Sequence, residues 1–402
     1  MVAAVTWDPD GSGLRPAALY AAGRFGVDEF NMAAYGIAVS SGGTWTLLTP
    51  PLNQTIRCMV VGPDGRLIVG GEFTASSTQS IPYIAAWDGE NWEAIGPGMN
   101  NAVTTLTVSS GLLYAGGRFN NVGPASGPFI ATWDGETWQS VSASPALTNA
   151  PSLLKTLANG DVVAANFRWV ENRFTCQVER LSGNAWTRLD QGATGAALLG
   201  MHGSDPAVFD LVELASGDLV AVGHFQNAGG VVVNNVARFN GTSWVPLGAG
   251  LDSIASSAAL LRDQTVVVSG WFHSAGGVPA NNLALWSPAG WAAVPGTGVE
   301  YVQGVFETSD GGALVRGQYS DWTGEWPVTH YVEARYVLTP TADFNGDGDA
   351  GTDQDIEAFF ACLGGTCCPL CHPRGSDFNA DGDYGTDQDI EAFFRVLGGG
   401  SC

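Results

Sequence analysis

Positive charge is scarce in this chain: 16 Lys and Arg stand against 39 Asp and Glu, giving a net charge of −23 over 402 residues. A surface so poor in cations cannot neutralise a phosphate backbone, which argues against nucleic-acid binding. Charge of either sign is thin, at 14% of residues, against the roughly 25% of an average soluble domain. Long apolar runs are missing too; none approaches the ~18 consecutive residues of a membrane-crossing helix. The opening MVAAVTWDPDGSG lacks the basic start and apolar core of a secretory leader. The Gly-x-Ser-x-Gly elbow, the phosphate loop and the HExxH zinc motif do not occur. The five histidines are His202, His224, His273, His330 and His372, and they form no motif. No catalytic residue is assigned. Paired carboxylates of a glycosidase would converge only in the fold, so spacing does not test for them.

What the chain does have is apolar material, glycine and tryptophan: 45% hydrophobic residues, 55 Gly and 14 Trp. That combination points to short strands and tight turns. A repeated anchor, small residues followed by one variable residue and an aromatic, organises them. It reads AAGRF, VGGEF, AGGRF, AANF, AVGHF, VSGWF and VRGQY, ending at Phe25, Phe73, Phe119, Phe167, Phe225, Phe272 and Tyr319. The period is close to constant except before Phe225, where an insertion near Asp190–Asp205 is expected on one rim.

Each copy carries the same grammar. An apolar run leads into a turn, a second run ends in the anchor, a variable polar loop follows, and a third run precedes a short fourth one. Trp45, Trp92, Trp138, Trp186, Trp244 and Trp291 open the fourth runs, often after Asp-Gly as at Asp88-Gly89 and Asp134-Gly135. Asp-Gly between apolar runs predicts a hairpin with a type I′ turn. Four short strands in a repeat of about 45 residues predict a propeller blade. The fixed period argues against a sandwich. The expectation over 1–338 is all-β, a seven-bladed propeller of four-stranded blades. The last copy shows three runs, so either the last blade has three strands or residues before Met1 supply the fourth. Anchor glycines should let strands approach closely, and the aromatics should pack between blades. The variable anchor slot holds Arg24, Glu72, Arg118, Asn166, His224, Trp271 and Gln318. A slot that changes type in every copy suits a channel lining or rim that binds something polar.

After Pro340 the pattern changes. Residues 339–402 form a second expected domain. DFNGDGDAGTDQDIEAFFACLGG from Asp343 is nearly repeated as DFNADGDYGTDQDIEAFFRVLGG from Asp377. Oxygen-bearing side chains alternate at Asp343, Asn345, Asp347 and Asp349, and again at Asp377, Asn379, Asp381 and Asp383. Gly348 and Gly382 occupy the sixth position, where a calcium loop turns sharply. Ile356, Phe359, Phe360 and Leu363, repeated as Ile390, Phe393, Phe394 and Leu397, predict an apolar helix face after each loop. Two Ca²⁺ ions are expected; Gln354 and Gln388 stand at the twelfth position, with Asp353 and Asp387 one residue earlier, and the dockerins that this tail resembles imply Asp355 and Asp389, directly before each helix, as the closing ligands. Carboxylates this dense repel one another without a cation, so folding should be coupled to binding.

Five of the seven cysteines, Cys362, Cys367, Cys368, Cys371 and Cys402, sit here, whereas Cys58 and Cys176 are isolated. Their clustering fits a disulfide staple in an oxidising compartment. Zinc at Cys367, Cys368, Cys371 and His372, or a merely solvated acidic tail, are the other readings.

The GG-x-F anchors and the WDG-x-x-W segments at Trp87–Trp92 and Trp133–Trp138 resemble Kelch-like and delta-60-like bacterial propeller repeats. The tail resembles a dockerin, an EF-hand-like tandem of calcium loop–helix units. Together these resemblances imply a monomeric, secreted or cell-surface binding or scaffold protein, without catalysis, whose partner is a protein or glycan, a cohesin-like receptor among the choices. The alternative they imply is an extracellular polysaccharide-degrading enzyme with a catalytic propeller and a docking tail.

Overall fold

The computed structural model describes residues 3–9, 18–27, 33–41, 44–48, 51–76, 79–122, 125–126, 129–141, 149–170, 173–189, 198–199, 207–261, 263–294, 301–307, 313–321, 328–336, 356 and 390–391. The repeats become antiparallel meanders. The first sheet comprises Ala3–Trp7, Ala18–Val27, Ala33–Ser41 and Thr44–Leu47. The second comprises Ile56–Val61, Leu67–Gly71, Ile84–Trp87 and Trp92–Ala94. The third comprises Val103–Ser109, Leu112–Gly117, Ile130–Trp133 and Trp138–Ser140. The fourth is built on Pro151–Thr156, Val162–Val170, Arg173–Ser182 and Ala185–Arg188. The fifth has Ala207–Glu213, Leu219–His224, Val236–Phe239 and Trp244–Pro246. The sixth has Ala255–Leu260, Val266–Gly270, Leu283–Ser287 and Gly290–Ala293.

The expected count of seven four-stranded blades is corrected: six are complete. The seventh repeat supplies a sheet of three strands, Tyr301–Glu307, Ala313–Asp321 and Val328–Tyr336. Anchors count repeats, not strands, and the last repeat has no Trp-led run to form an outer strand. The first strand of each sheet lies beside that of the next, and that of the last sheet beside that of the first, which closes the ring. Hydroxyls stitch these inner strands together: Thr107 Oγ1 to Thr156 Oγ1 at 2.8 Å, Ser152 Oγ to Val208 O at 3.0 Å, and Ser257 Oγ to Val305 O at 2.8 Å.

Packing follows the anchors. Phe73, Phe119, Phe225 and Phe272 are fully buried. Each belongs to the apolar cluster between its own sheet and the preceding one. A side chain at Gly71, Gly117, Gly223 or Gly270 would run into the carbonyl oxygen of Thr55, Ala102, Ala207 or Ile254, at the start of the same sheet's first strand or the residue just before it. Glycine is required there because the backbones are in contact.

The Asp-Gly turns differ from expectation. Trp87 pairs with Trp92 and Trp133 with Trp138 across four-residue loops, with ring centroids 5.0 and 5.3 Å apart. Gly89 and Gly135 take positive φ, but Asp88 and Asp134 do not, so these are not type I′ turns. Instead each Asp side chain caps its loop. Asp88 Oδ1 accepts the amides of Glu90 and Asn91, both at 2.7 Å, and Asp134 Oδ1 those of Glu136 and Thr137 at 2.9 and 2.7 Å.

Within the 58-residue interval before Phe225, Leu198–Leu199 pairs with Thr175 and Cys176 of the fourth sheet and with Asn227 beyond the fifth sheet's second strand. This part of the insertion bridges two neighbouring sheets at the rim. Cys58 and Cys176 are free thiols, the latter fully buried. The expected calcium ligands and the five clustered cysteines lie outside the described residues. No described helix is long and apolar enough to cross a membrane.

Candidate functional site: the mouth and cleft at the fifth and sixth sheets

In a four-stranded meander the second-to-third and fourth-to-first connections share one face. Three local devices shape that face. The first is a bulge near the start of the inner strand, recurring in the second to seventh sheets. Arg57, Thr104, Ser152, Phe209, Ser256 and Gln303 each lack an opposed partner, because the register shifts around them. A bulge re-aims a side chain out of the ladder. The second is the variable anchor slot, which directly follows the second strand at Glu72, Arg118 and Trp271 and ends it at His224. Main-chain amides of Glu72, Arg118 and Trp271 donate to Thr55, Ala102 and Ile254 at 2.8, 2.9 and 2.8 Å. Arg57 and Glu72 form an ion pair at 2.7 Å, so a bulge residue and a slot residue meet at the mouth.

The third device is a clip. A buried apolar residue followed by Asn or Asp occurs in the fourth-to-first connection as Leu52-Asn53, Met99-Asn100 and Leu251-Asp252. Asn53 Oδ1 accepts the amides of Thr74 and Ala75 at 2.9 and 3.2 Å. Asn100 Oδ1 accepts those of Asn120 and Asn121, both at 3.1 Å, and Asp252 Oδ1 those of His273 and Ser274 at 2.9 and 3.0 Å. Each clip ties one connection to the small extension of the following repeat. In the third, fifth and sixth repeats that extension is a two-stranded hairpin: Asn121–Val122 with Ala125–Ser126, Asn227–Ala228 with Val231–Val232, and Ser274–Ala275 with Val278–Pro279.

A cleft of about 450 Å³ opens on this face between the fifth and sixth sheets. His224 and Gln226 enter from the end of the second strand, Asn234 and Asn235 from before the third. The connection Ala249–Ile254 forms one wall, and Ser274 and Gly277 come from the sixth repeat's hairpin. Asn234 and Asn235 hold φ of 51° and 66°, a region Asn tolerates better than most residues. Asn234 Nδ2 donates to Ala249 O at 2.9 Å and Asn235 Nδ2 to Leu251 O at 3.2 Å, so the wall is fixed by amide side chains. The lining mixes amide, imidazole and hydroxyl groups with the apolar Ala249, Leu251 and Ile254, and carries one carboxylate, Asp252, already bonded to main chain.

Apolar exposure concentrates in the two repeats that flank the cleft. Among the described residues, the exposed large hydrophobics are Phe209, Val231, Val232, Trp271 and Val278, and all five fall in the fifth and sixth repeats. Trp271 is 53% exposed and Phe209 44%. Among the described residues, no group of three His, Cys, Asp or Glu side chains is placed to hold a metal.

A family model described as "Domain of unknown function (DUF5122) beta-propeller" matches residues 62–85 and 214–242, in the second and fifth repeats. The chain contains a β-propeller. Solved structures similar to it include the WD40 β-propeller domain of Doa1, with 12% identity, 74% of this chain and 85% of that one covered, and a TM-score of 0.45. YCF48 from Cyanidioschyzon merolae has 10% identity, coverage of 73% and 98%, and a TM-score of 0.47. An oligogalacturonate lyase in complex with manganese has 13% identity, coverage of 82% and 87%, and a TM-score of 0.44. These are likenesses of fold, and the functional reading below does not rest on them. No curated protein matches the chain. Of the repeat resemblance, the comparisons support the propeller and not a Kelch-like kinship.

The slot residues Glu72, Arg118, His224 and Trp271 were visible in the sequence, and all four stand at the mouth of the described sheets. The bulges were not visible, since Arg, Thr, Ser, Phe, Ser and Gln occupy the same place. The clip did leave a signal, an apolar residue then Asn or Asp at one point in the repeat, but within varied loop sequence.

Proposed function

We propose that this chain is a non-catalytic binding protein of the cell exterior. The propeller offers the mouth face at its fifth and sixth sheets to a protein or glycan. The tail is a dockerin-like calcium module that docks or anchors it, a cohesin-like receptor being the partner its resemblance implies. The observation that carries the propeller half is that the exposed large hydrophobics among the described residues all fall in the two repeats that line this cleft. Apolar exposure rimmed by polar groups is characteristic of a binding surface. The described carboxylates best placed to draw attention, Asp88, Asp134 and Asp252, each bond main-chain amides, which supports a structural use for them.

The tail half rests on the sequence. Asp343, Asn345, Asp347, Asp349 and Asp355 would hold one calcium, and Asp377, Asn379, Asp381, Asp383 and Asp389 the second. The clustered cysteines support an oxidising location.

The experiment is incubation of the full chain with soluble plant, fungal and bacterial polysaccharides, following reducing ends and unsaturated products. The expected result is retention without turnover. Product formation lost in Asp252→Asn or Glu72→Gln would overturn the non-catalytic reading in favour of a catalytic propeller.

A further inference from the structure

The cleft and the exposed rings beside it narrow the partner. We propose that this face binds a neutral oligosaccharide, with the Trp271 indole as stacking platform and the cleft as the hydroxyl-reading subsite; this rests on the binding role proposed above.

Three observations meet at this face. First, Trp271 is half exposed at the end of the second strand of the sixth sheet, and its main-chain amide bonds Ile254, a wall residue of the cleft. Beyond the buried Phe272, the amides of His273 and Ser274 donate to Asp252 on the same wall. The ring is therefore held by a fixed segment at the cleft's edge. Phe209 is bulged from the inner strand of the neighbouring fifth sheet, whose Asp210 carboxylate accepts the amide of Ala258 in the sixth at 3.0 Å. The two rings thus stand on adjoining sheets at one mouth.

Second, the cleft between the two sheets is lined by His224, Gln226, Asn234, Ser253 and Ser274, among others. Imidazole, amide and hydroxyl groups each donate and accept. A sugar ring has the complementary construction, with hydroxyls that do both around its edge and a flat C–H face that a large aromatic covers. An apolar peptide side chain would need an apolar pocket. Here the concave part sets amide, imidazole and hydroxyl groups beside the apolar surface of Ala249, Leu251 and Ile254, a mixture that suits the polar edge and C–H face of a sugar ring. Third, the chain carries a net charge of −23, and the lining adds a carboxylate, Asp252. A polyanionic glycan meets repulsion on this face and a neutral one does not.

The test uses the full chain and calorimetry with cellohexaose, xylohexaose, mannohexaose and tetragalacturonate, plus a ten-residue polyproline peptide. Variants are Trp271→Ala, Trp271→Phe and, at a distant loop, Thr242→Ala. At least one neutral hexasaccharide should bind. Trp271→Ala should weaken it by about tenfold or more, as loss of a central aromatic contact does. Trp271→Phe should restore part of the loss, and Thr242→Ala should change nothing. Thermal unfolding should show all three variants fully folded at the temperature of the binding measurement. Sugar binding indifferent to Trp271→Ala, or preference for tetragalacturonate, overturns the proposal. Polyproline binding lost in Trp271→Ala, with no sugar bound, overturns the ligand class and keeps the binding face. Binding of neither sugar nor peptide overturns both.

Discussion

Phe119 is fully buried between the second and third sheets, in one cluster with Ile68, Ile84 and Val103. Replacing it with alanine removes those contacts from a ring that has little freedom to collapse. Phe119→Ala should cost about 3–5 kcal/mol, as large-to-small changes of core aromatics do. Urea unfolding checks this; a loss under about 1 kcal/mol would mean that the anchor aromatics do not hold neighbouring sheets together. Asp88 and Asp134 make a different kind of residue-scale claim. The amides of Asn91 and then Glu90 hold the Asp88 carboxyl below its ordinary 3.8, and those of Thr137 and then Glu136 do the same for Asp134. A carboxyl lowered in the folded chain stabilises above its unfolded pKa, and that stability is lost as pH falls through the folded value. Asn accepts the same bonds without titrating. The melting-temperature advantage of wild type over Asp88→Asn/Asp134→Asn should therefore shrink between about pH 6 and about pH 2. A constant difference would contradict the capping role. At this scale the sequence was informative where chemistry is repeated in one residue type. Gly-x-Phe and Asp-Gly were read correctly as fixed points. The turn type was misread because the Asp side chain, not an Asp of positive φ, closes the loop.

At the scale of elements, the clip should be separable from the strands it joins. Asn100→Ala removes acceptors for two amides and should cost about 1–2 kcal/mol in thermal or urea unfolding, with Asn100→Asp retaining most of the stability. Equal losses in both variants would show that the amide group's donor, bonded to Asn120 Oδ1, matters more than its acceptor. The four-run grammar was legible because the second run ends, and the fourth opens, on a residue that the geometry demands: glycine where strands touch, tryptophan where the outer strand begins. The small hairpins passed as a variable polar loop, since two residues per strand are too short to show alternation. The bulges escaped for a related reason. A bulge is a property of register, and register depends on both strands, so no single residue type marks it. The seventh repeat was counted as a blade because its anchor is intact, although its described sheet has three strands.

At the scale of the whole molecule, two sources of stability divide the chain. The ring draws on inter-sheet clusters and hydroxyl stitches, all visible in the described residues. The tail, as proposed, draws on metal, because its short helices carry too little apolar surface to fold alone and its loops carry repelling carboxylates. The repeat of the tail was legible in residue chemistry alone: oxygen side chains at alternate positions, then a sixth-position glycine. The proposed binding face of the ring was not, because it is assembled from bulge, slot and hairpin residues scattered over two repeats. Calcium titration of the full chain by calorimetry, with helicity followed alongside, tests the proposed docking module most directly. Two ions should bind with a gain of helix, and Asp347→Ala with Asp381→Ala should abolish both while leaving the ring's strand signal unchanged. No calcium heat, or binding that survives the double substitution, would contradict the account and turn attention to zinc at the clustered cysteines.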